Sequence, residues 1–335
     1  MILNIIGNGF DLYHGLPSRY QDFAIWLIEN DIELFENIGK YYDVDSYIIE
    51  REGADYEVVG YRVDDMFWSQ FENKLGELNP LSFEDQLIDD LGLENEDPVS
   101  IIDEVDANDI AEDIKLRFSE WVRNTLDNNN NYIKIKRLIG RNKLLLLKTS
   151  LYVNFNYTHL LQRLYGIPGE NIFYPHGECS DYNDQLVVGH GNSEIMATLK
   201  SEISSLEERY DYTQSSKNRI DEKTCELSFL KALRKESEFI SRRILDFVNN
   251  KCNTIEQIVS FGFSFGDADI PYIKTLIENY PKASWRISYY KLNYNEQDRI
   301  KRIINECAGN KDTVISFFRF NNPNSNRIRD AIMQK

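Results

Sequence analysis

A chain of 335 residues that is 42% hydrophobic and 13% aromatic has the composition of a folded globular protein and the length to bury a large core. Its net charge of −17 is unevenly spread, with 27 acidic and 5 basic side chains in residues 1–110 against 28 and 33 in residues 111–335. The acidic first third repels phosphate backbones, which argues against a general nucleic-acid-binding surface there, and no apolar run reaches the roughly 18 residues that a membrane span needs. Four widely spaced cysteines (Cys179, Cys225, Cys252, Cys307) give neither a metal motif nor a disulfide framework. The expectation is a soluble cytoplasmic protein with no signal peptide, no metal and no membrane partner.

The first element is a short apolar strand, Met1 to Ile6, that breaks into Gly7-Asn8-Gly9, then Phe10-Asp11 and His14-Gly15-Leu16-Pro17-Ser18. A strand entering a glycine turn is how many nucleotide-binding α/β domains begin, because glycine lets a phosphate approach the main chain closely. The third glycine of the dinucleotide fingerprint is missing, so the turn alone is weak evidence. Ser18 and Gln21 have the spacing of a capping box, and Tyr20, Phe23, Ala24 and Leu27 then share a helical face. Residues 31–62 are tyrosine-rich and acidic without a clean period. A helix over 63–78 would turn Met66, Phe67, Phe71 and Leu75 inward, residues 79–106 read as loop or short helices, and a helix over 108–126 would turn Ile110, Ile114, Phe118, Trp121 and Val122 inward. The polar tract 127–131 reads as a loop.

After Lys143 the texture changes. Residues 144–147 and 150–155 are apolar and suited to a buried strand of a parallel sheet. A helix over 158–165 follows, then short strands at 172–174 and 186–188, a charged helical stretch over 195–250, and a strand at 258–261. Helix 268–279, strand 285–290, helix 294–307 and strand 313–319 complete the alternation. Alternating strands and helices imply α/β architecture: a single domain over 1–335, not two independent ones, with one parallel sheet flanked by helices and helical insertions at about 20–140 and 195–250.

Polar residues gather where the expected strands end. Gly7-Asn8-Gly9-Phe10-Asp11, Asn154-Phe155-Asn156-Tyr157-Thr158, Pro175-His176-Gly177, Gly189-His190-Gly191-Asn192 and Gly262-Phe263-Ser264-Phe265-Gly266-Asp267 each follow one. Ligands of open parallel sheets bind at those carboxyl ends. Of the four histidines, His14, His176 and His190 precede a glycine, while His159 sits within a helix and reads as structural.

The opening IIGNGFDLYHGLPSRYQDF, the central NFNYTHLL, the PHGE and VGHGN steps and the distal FGFSFGDADI resemble the bacteriophage abortive-infection family AbiH. The order of motifs is also similar, more distantly, to sirtuin-like domains of bacterial antiphage systems, which share a Rossmann-like NAD-binding fold and in several cases hydrolyse NAD. That resemblance implies an antiphage effector that binds NAD or a related nucleotide and cleaves its N-glycosidic bond. Carried over, His176 would be the general base and Asn156 would orient the ribose or the attacking water. Gly7, Asn8 and Gly9 would present backbone donors to the pyrophosphate, with Phe10, Asp11 and His190 also in the nucleotide site, and Gly262, Ser264 and Asp267 would hold the far ribose or adenine. Thr158 stands where the sirtuin-like pattern has an acid, so Asp11 or His190 would supply the missing acceptor. The absence of paired zinc cysteines argues against deacetylation. A phage-encoded trigger or partner protein and a second copy of the chain are the implied protein partners. The alternative from another class is a nucleotide-binding sensor or partner-binding module without catalysis. A nuclease is disfavoured by the lack of a basic patch and of a metal-ligand cluster.

Overall fold

The computed structural model describes residues 1–44, 47–52, 57–78, 107–179, 186–209, 214–291, 293–309 and 313–334. Its strands are β1 (Ile2–Ile6), β2 (Ile48–Glu52), β3 (Glu57–Arg62), β4 (Leu151–Asn154), β5 (Ile172–Phe173), β6 (Gln257–Phe261), β7 (Ser284–Tyr289) and β8 (Ile315–Arg319). Six of them form one sheet in the order β5-β4-β1-β6-β7-β8, and every pairing in it is parallel. From β1 the chain moves outward through β4 and β5, then returns to the other side of β1 and moves outward again through β6, β7 and β8. The strand order therefore reverses between β1 and β6, which is the topological switch of a doubly wound sheet.

Contacts divide the chain into two compact units. The first comprises Met1–Arg19, Ser119–Val187 and Glu236–Lys335 and holds the parallel sheet. Because side chains alternate across a strand, Leu3 and Ile5 of β1 and Leu151 and Val153 of β4 face one core, and Ile6 and Tyr152 face the other. Helices Ser237–Asn249, Ile270–Asn279 and Tyr294–Cys307 cover the first face with Ile240, Ile244, Ile273, Leu276, Ile300 and Ile304 at helical spacing. Helices Asn8–Tyr13, Asn129–Leu138, Leu160–Tyr165 and Ser325–Met333 cover the second face with Phe10, Ile135, Leu161 and Ile328. A sheet covered on both faces explains why β1 and β4 read as continuous apolar runs.

The second unit comprises Tyr20–Phe118 and Val188–Lys235. It is mostly helical, with β2 and β3 as an antiparallel pair. Its core is aromatic: Phe35 and Trp68 stack with centroids 5.7 Å apart, and Trp68 and Phe71 at 4.9 Å. Phe23, Trp68, Phe71, Phe118 and Phe229 are all buried. Full burial of each such ring contributes about 2–3 kcal/mol.

Several elements differ from their sequence reading. Leu144–Leu147 is not part of a strand: Leu145 is 95% exposed and Leu147 51%, and the strand begins only at Leu151. Residues 186–188 form no strand of the sheet, and His190 makes an isolated bridge with Arg234 in the second unit. The expected helix 63–78 is two short helices, Asp65–Trp68 and Phe71–Lys74, and Met66 is 75% exposed instead of inward. The asparagine tract begins a helix, because Asn128 caps it by accepting from the Asn131 N–H. Ser18 does not serve as the expected cap; its hydroxyl donates to Asn8 Oδ1 at 2.6 Å. The expectation for 79–106 lies outside the described residues.

Candidate functional site

The glycine turn after β1 is built around its neighbour on β6. Gly7 N–H donates to the Phe261 carbonyl at 3.0 Å and Gly9 N–H to the Gly262 carbonyl at 2.9 Å. A Cβ on Gly9 would come within 2.6 Å of Gly262 Cα, and one on Gly262 within 2.4 Å of Gly9. Gly262 also has φ +63, a left-handed conformation that side chains disfavour. The glycines therefore let two loops touch backbone to backbone at the switch point. One consequence corrects the expectation for this turn: the amides of Gly7 and Gly9 are committed within the protein, as is that of Phe10, which donates to Gly7 O at 2.8 Å. The Asn8 side chain binds Ser18 through both of its ends.

Beside this turn lies a buried polar cluster. Asn156, just beyond β4, donates from Nδ2 to the Gly7 carbonyl at 3.0 Å and to Asp11 Oδ1 at 2.9 Å. The Thr158 hydroxyl donates to the same carboxylate, 3.1 Å from Oδ1 and 3.0 Å from Oδ2. Burial pushes the Asp11 carboxyl up to about 7, although the bonds from Thr158 and Asn156 pull it down. Thr158 is thus a donor to an acid contributed from the helix Asn8–Tyr13.

The histidines separate by role. Nδ1 of His14 faces the Phe10 carbonyl at 2.7 Å, which only accepts, so Nδ1 bears the proton and Nε2 accepts from the Tyr165 hydroxyl at 2.6 Å. Burial lowers its pKa to about 3, and this imidazole is neutral and structural. His190 is committed in the same way within the second unit: Nε2 donates to Leu230 O and Nδ1 accepts from the Asn192 N–H. The expected strand end that would have carried it into the ligand crevice does not exist. His176, after β5, is buried against Phe155 at 5.4 Å and Tyr272 at 6.1 Å between ring centroids.

His159, read as structural from the sequence, is held by an acid. Its Nδ1 binds Asp127 Oδ2 at 2.7 Å, its N–H binds Asp127 Oδ1 at 2.7 Å, and its Nε2 lies 3.4 Å from Glu178. The bond to Asp127 raises the imidazole pKa against the opposing effect of burial. Burial acts to raise Asp127, but the bonds from His159 and Tyr132 outweigh it and hold the carboxyl low. Only the polar tract containing Asp127 signalled this pair in the sequence, and nothing there linked it to His159.

A cavity of about 440 Å³ opens at the carboxyl ends of β1, β6, β7 and β8. Its wall includes Gly9 and Gly262 from the switch and rings from Phe263, Tyr289 and Tyr290. Arg19, Lys291 and Arg329 also line it. Of the expected site residues only Gly9 and Gly262 line it; Gly7, Asn8, Phe10, Asp11, Asn156, His176, His190, Ser264 and Asp267 do not. Phe263 links it to the other side of the switch, with its ring 5.0 Å from Phe155, which in turn packs on His176. The distal motif is shaped by Arg299, which donates to the carbonyls of Ser264 at 2.8 Å and Phe265 at 3.0 Å. This clamp supports Phe265 at φ +54. Among the described residues no group of histidine, cysteine and acidic side chains is arranged to hold a metal.

The sheet order, with its switch and adjoining cavity, defines an α/β protein of Rossmann-like arrangement. The family description that matches the chain is bacteriophage abortive infection AbiH, over residues 3–290, so the chain belongs to that family. No curated protein and no solved structure matches it, and the comparisons carry no likeness to sirtuin-like domains. Membership associates the chain with abortive-infection defence against phage. No helix among the described residues is long and apolar enough to cross a membrane.

Proposed function

We propose that this AbiH protein acts in the cytoplasm by binding NAD or a related nucleotide in its first unit and hydrolysing the N-glycosidic bond when a phage-encoded trigger is present. The observation that carries the reading is the cavity beside the switch between β1 and β6, where doubly wound sheets take dinucleotides. A dinucleotide lying across the switch would put its adenosine half in the cavity and its nicotinamide half toward the ends of β4 and β5. Asn156 and His176 follow those strands.

In the reaction, water attacks C1′ of the nicotinamide ribose. The C1′–N bond breaks and its electron pair returns to the nicotinamide ring, which leaves neutral. The water's proton goes to His176 and then to solvent, giving nicotinamide and ADP-ribose. Asn156 acts by positioning, since its Nδ2 holds Gly7 and Asp11.

A second reading, a nucleotide sensor without catalysis, is favoured by one observation: neither Asn156 nor His176 lines the cavity. Incubation with NAD, with nicotinamide and ADP-ribose resolved by chromatography, separates the two. Product from the wild type, lost in His176→Ala while NAD still binds by calorimetry, supports hydrolysis. Binding without product, with or without a phage lysate present, supports the sensor. Failure to bind any nucleotide removes both.

A further inference from the structure

We infer that the cavity is built for an adenosine half that carries a phosphate on its ribose, so that the preferred ligand is a 2′-phosphorylated dinucleotide of the NADP class. The inference rests on the reading that the cavity holds the adenosine half of a dinucleotide. A free ribose 2′-hydroxyl is typically recognised by a carboxylate that accepts its hydrogen bond, whereas a 2′-phosphate is met by arginine. Among the described residues that line the cavity the acid is Glu296. Both of its oxygens already accept from Arg299, Oε2 from Nε at 2.9 Å and Oε1 from Nη2 at 2.7 Å, and this pairing holds its pKa low.

The cations on the same wall come from three separate parts of the first unit. Arg19 lies within the opening motif, Lys291 follows β7, and Arg329 belongs to the helix Ser325–Met333. Arginine and lysine together suit a compact dianion, the first through its planar fork and the second as a point charge. The amides of Gly7 and Gly9 do not take over this work, because they donate to Phe261 and Gly262. Lys291 Nζ lies over the Tyr290 ring, 5.7 Å from its centre, so the tyrosine helps to hold the ammonium at this wall of the cavity.

The test is calorimetry on the full chain with NADP, NAD, adenosine 2′,5′-bisphosphate and 5′-AMP. NADP is expected to bind about tenfold or more tightly than NAD, and the bisphosphate to exceed 5′-AMP by a similar ratio. Lys291→Ala and Arg329→Ala should each shrink those ratios, and Lys291→Arg should restore most of the first. Circular dichroism checks that the variants remain folded. NAD binding as tightly as NADP overturns the inference and leaves the proposed function standing. So does an equal loss for both dinucleotides in the variants, since the cations would then be reading the shared pyrophosphate. If none of the four probes binds, the proposed function and this inference fall together.

Discussion

Asn156 donates to the Asp11 carboxylate at 2.9 Å across 145 residues of sequence, and so ties the end of β4 to the helix that follows the glycine turn. The same Nδ2 reaches the Gly7 carbonyl. One amide therefore sets the position of the turn relative to the strand beside it. The acid it holds is 2% exposed and has Thr158 as a further donor.

Asn156→Ala should destabilise the protein by roughly 2–3 kcal/mol, because a buried carboxyl and a buried carbonyl lose a donor. Asn156→Asp should behave differently. Two carboxyls at that separation cannot both ionise, so one must keep a proton. The melting temperature of Asn156→Asp should fall steeply between pH 5 and pH 8 relative to Asn156→Ala. Thermal melts of the two variants side by side check this, and equal pH profiles would refute the direct contact.

Gly262 offers a cleaner test of the switch. Gly262→Ala adds a Cβ at φ +63 that would sit 2.4 Å from Gly9 and from the Phe10 nitrogen. Gly140 is also left-handed, at φ +55, but a Cβ there meets nothing within 4 Å. Gly140→Ala should therefore cost about 1–2 kcal/mol from backbone conformation alone, and Gly262→Ala about 1–3 kcal/mol beyond that from crowding. Urea denaturation of both variants measures the difference. Equal losses would mean that the two loops do not depend on contact between glycines.

Much of the architecture was legible because its signals are local. β1 and β6 are short apolar runs that end at glycine, and the helix Tyr294–Cys307 keeps the bounds expected from the sequence. The cluster at the strand ends was legible as a list of residue types, and Asp11 and Asn156 do come together. Whether a backbone amide is free depends on a partner more than 200 residues away, and for that reason Gly7 and Gly9 were misjudged. The Asp127–His159 pair was missed because no local pattern links side chains 32 residues apart. The apolar run 144–147 misled because hydrophobicity alone does not specify pairing. Its neighbour β1 is already occupied by Leu151–Asn154 on one side and by β6 on the other.

That correction carries its own prediction. Leu145 is 95% exposed, so Leu145→Asp should change stability by no more than about 0.5 kcal/mol. Leu151 is 2% exposed in the sheet core, and even Leu151→Ala should cost about 2–5 kcal/mol. Chemical denaturation of the pair decides. A large loss for Leu145→Asp would return the 144–147 segment to the buried sheet.

Asp11 and His14 lie within one turn of each other and respond to pH in opposite directions. Burial raises Asp11 from 3.8 to about 7, so between those values the folded chain retains a proton that the unfolded chain releases. The Asp11 contribution is thus complete below pH 3.8 and declines as pH rises toward 7. Burial lowers His14 from 6.5 to about 3, so over that range the unfolded chain binds a proton that the folded chain refuses. The His14 contribution is complete above pH 6.5 and is lost as pH falls toward 3. Each amounts to roughly 4–5 kcal/mol over its window, and in the overlap the slopes largely cancel. Asp11→Asn should expose the histidine limb, with stability that climbs from pH 4 to pH 6.5. His14→Gln keeps a donor and an acceptor on the side chain, and should expose the opposite limb, with stability that declines over the same interval. Urea midpoints at half-unit steps of pH, for the wild type and both variants, measure the slopes. Three parallel profiles would mean that neither group is as deeply desolvated as its surroundings require.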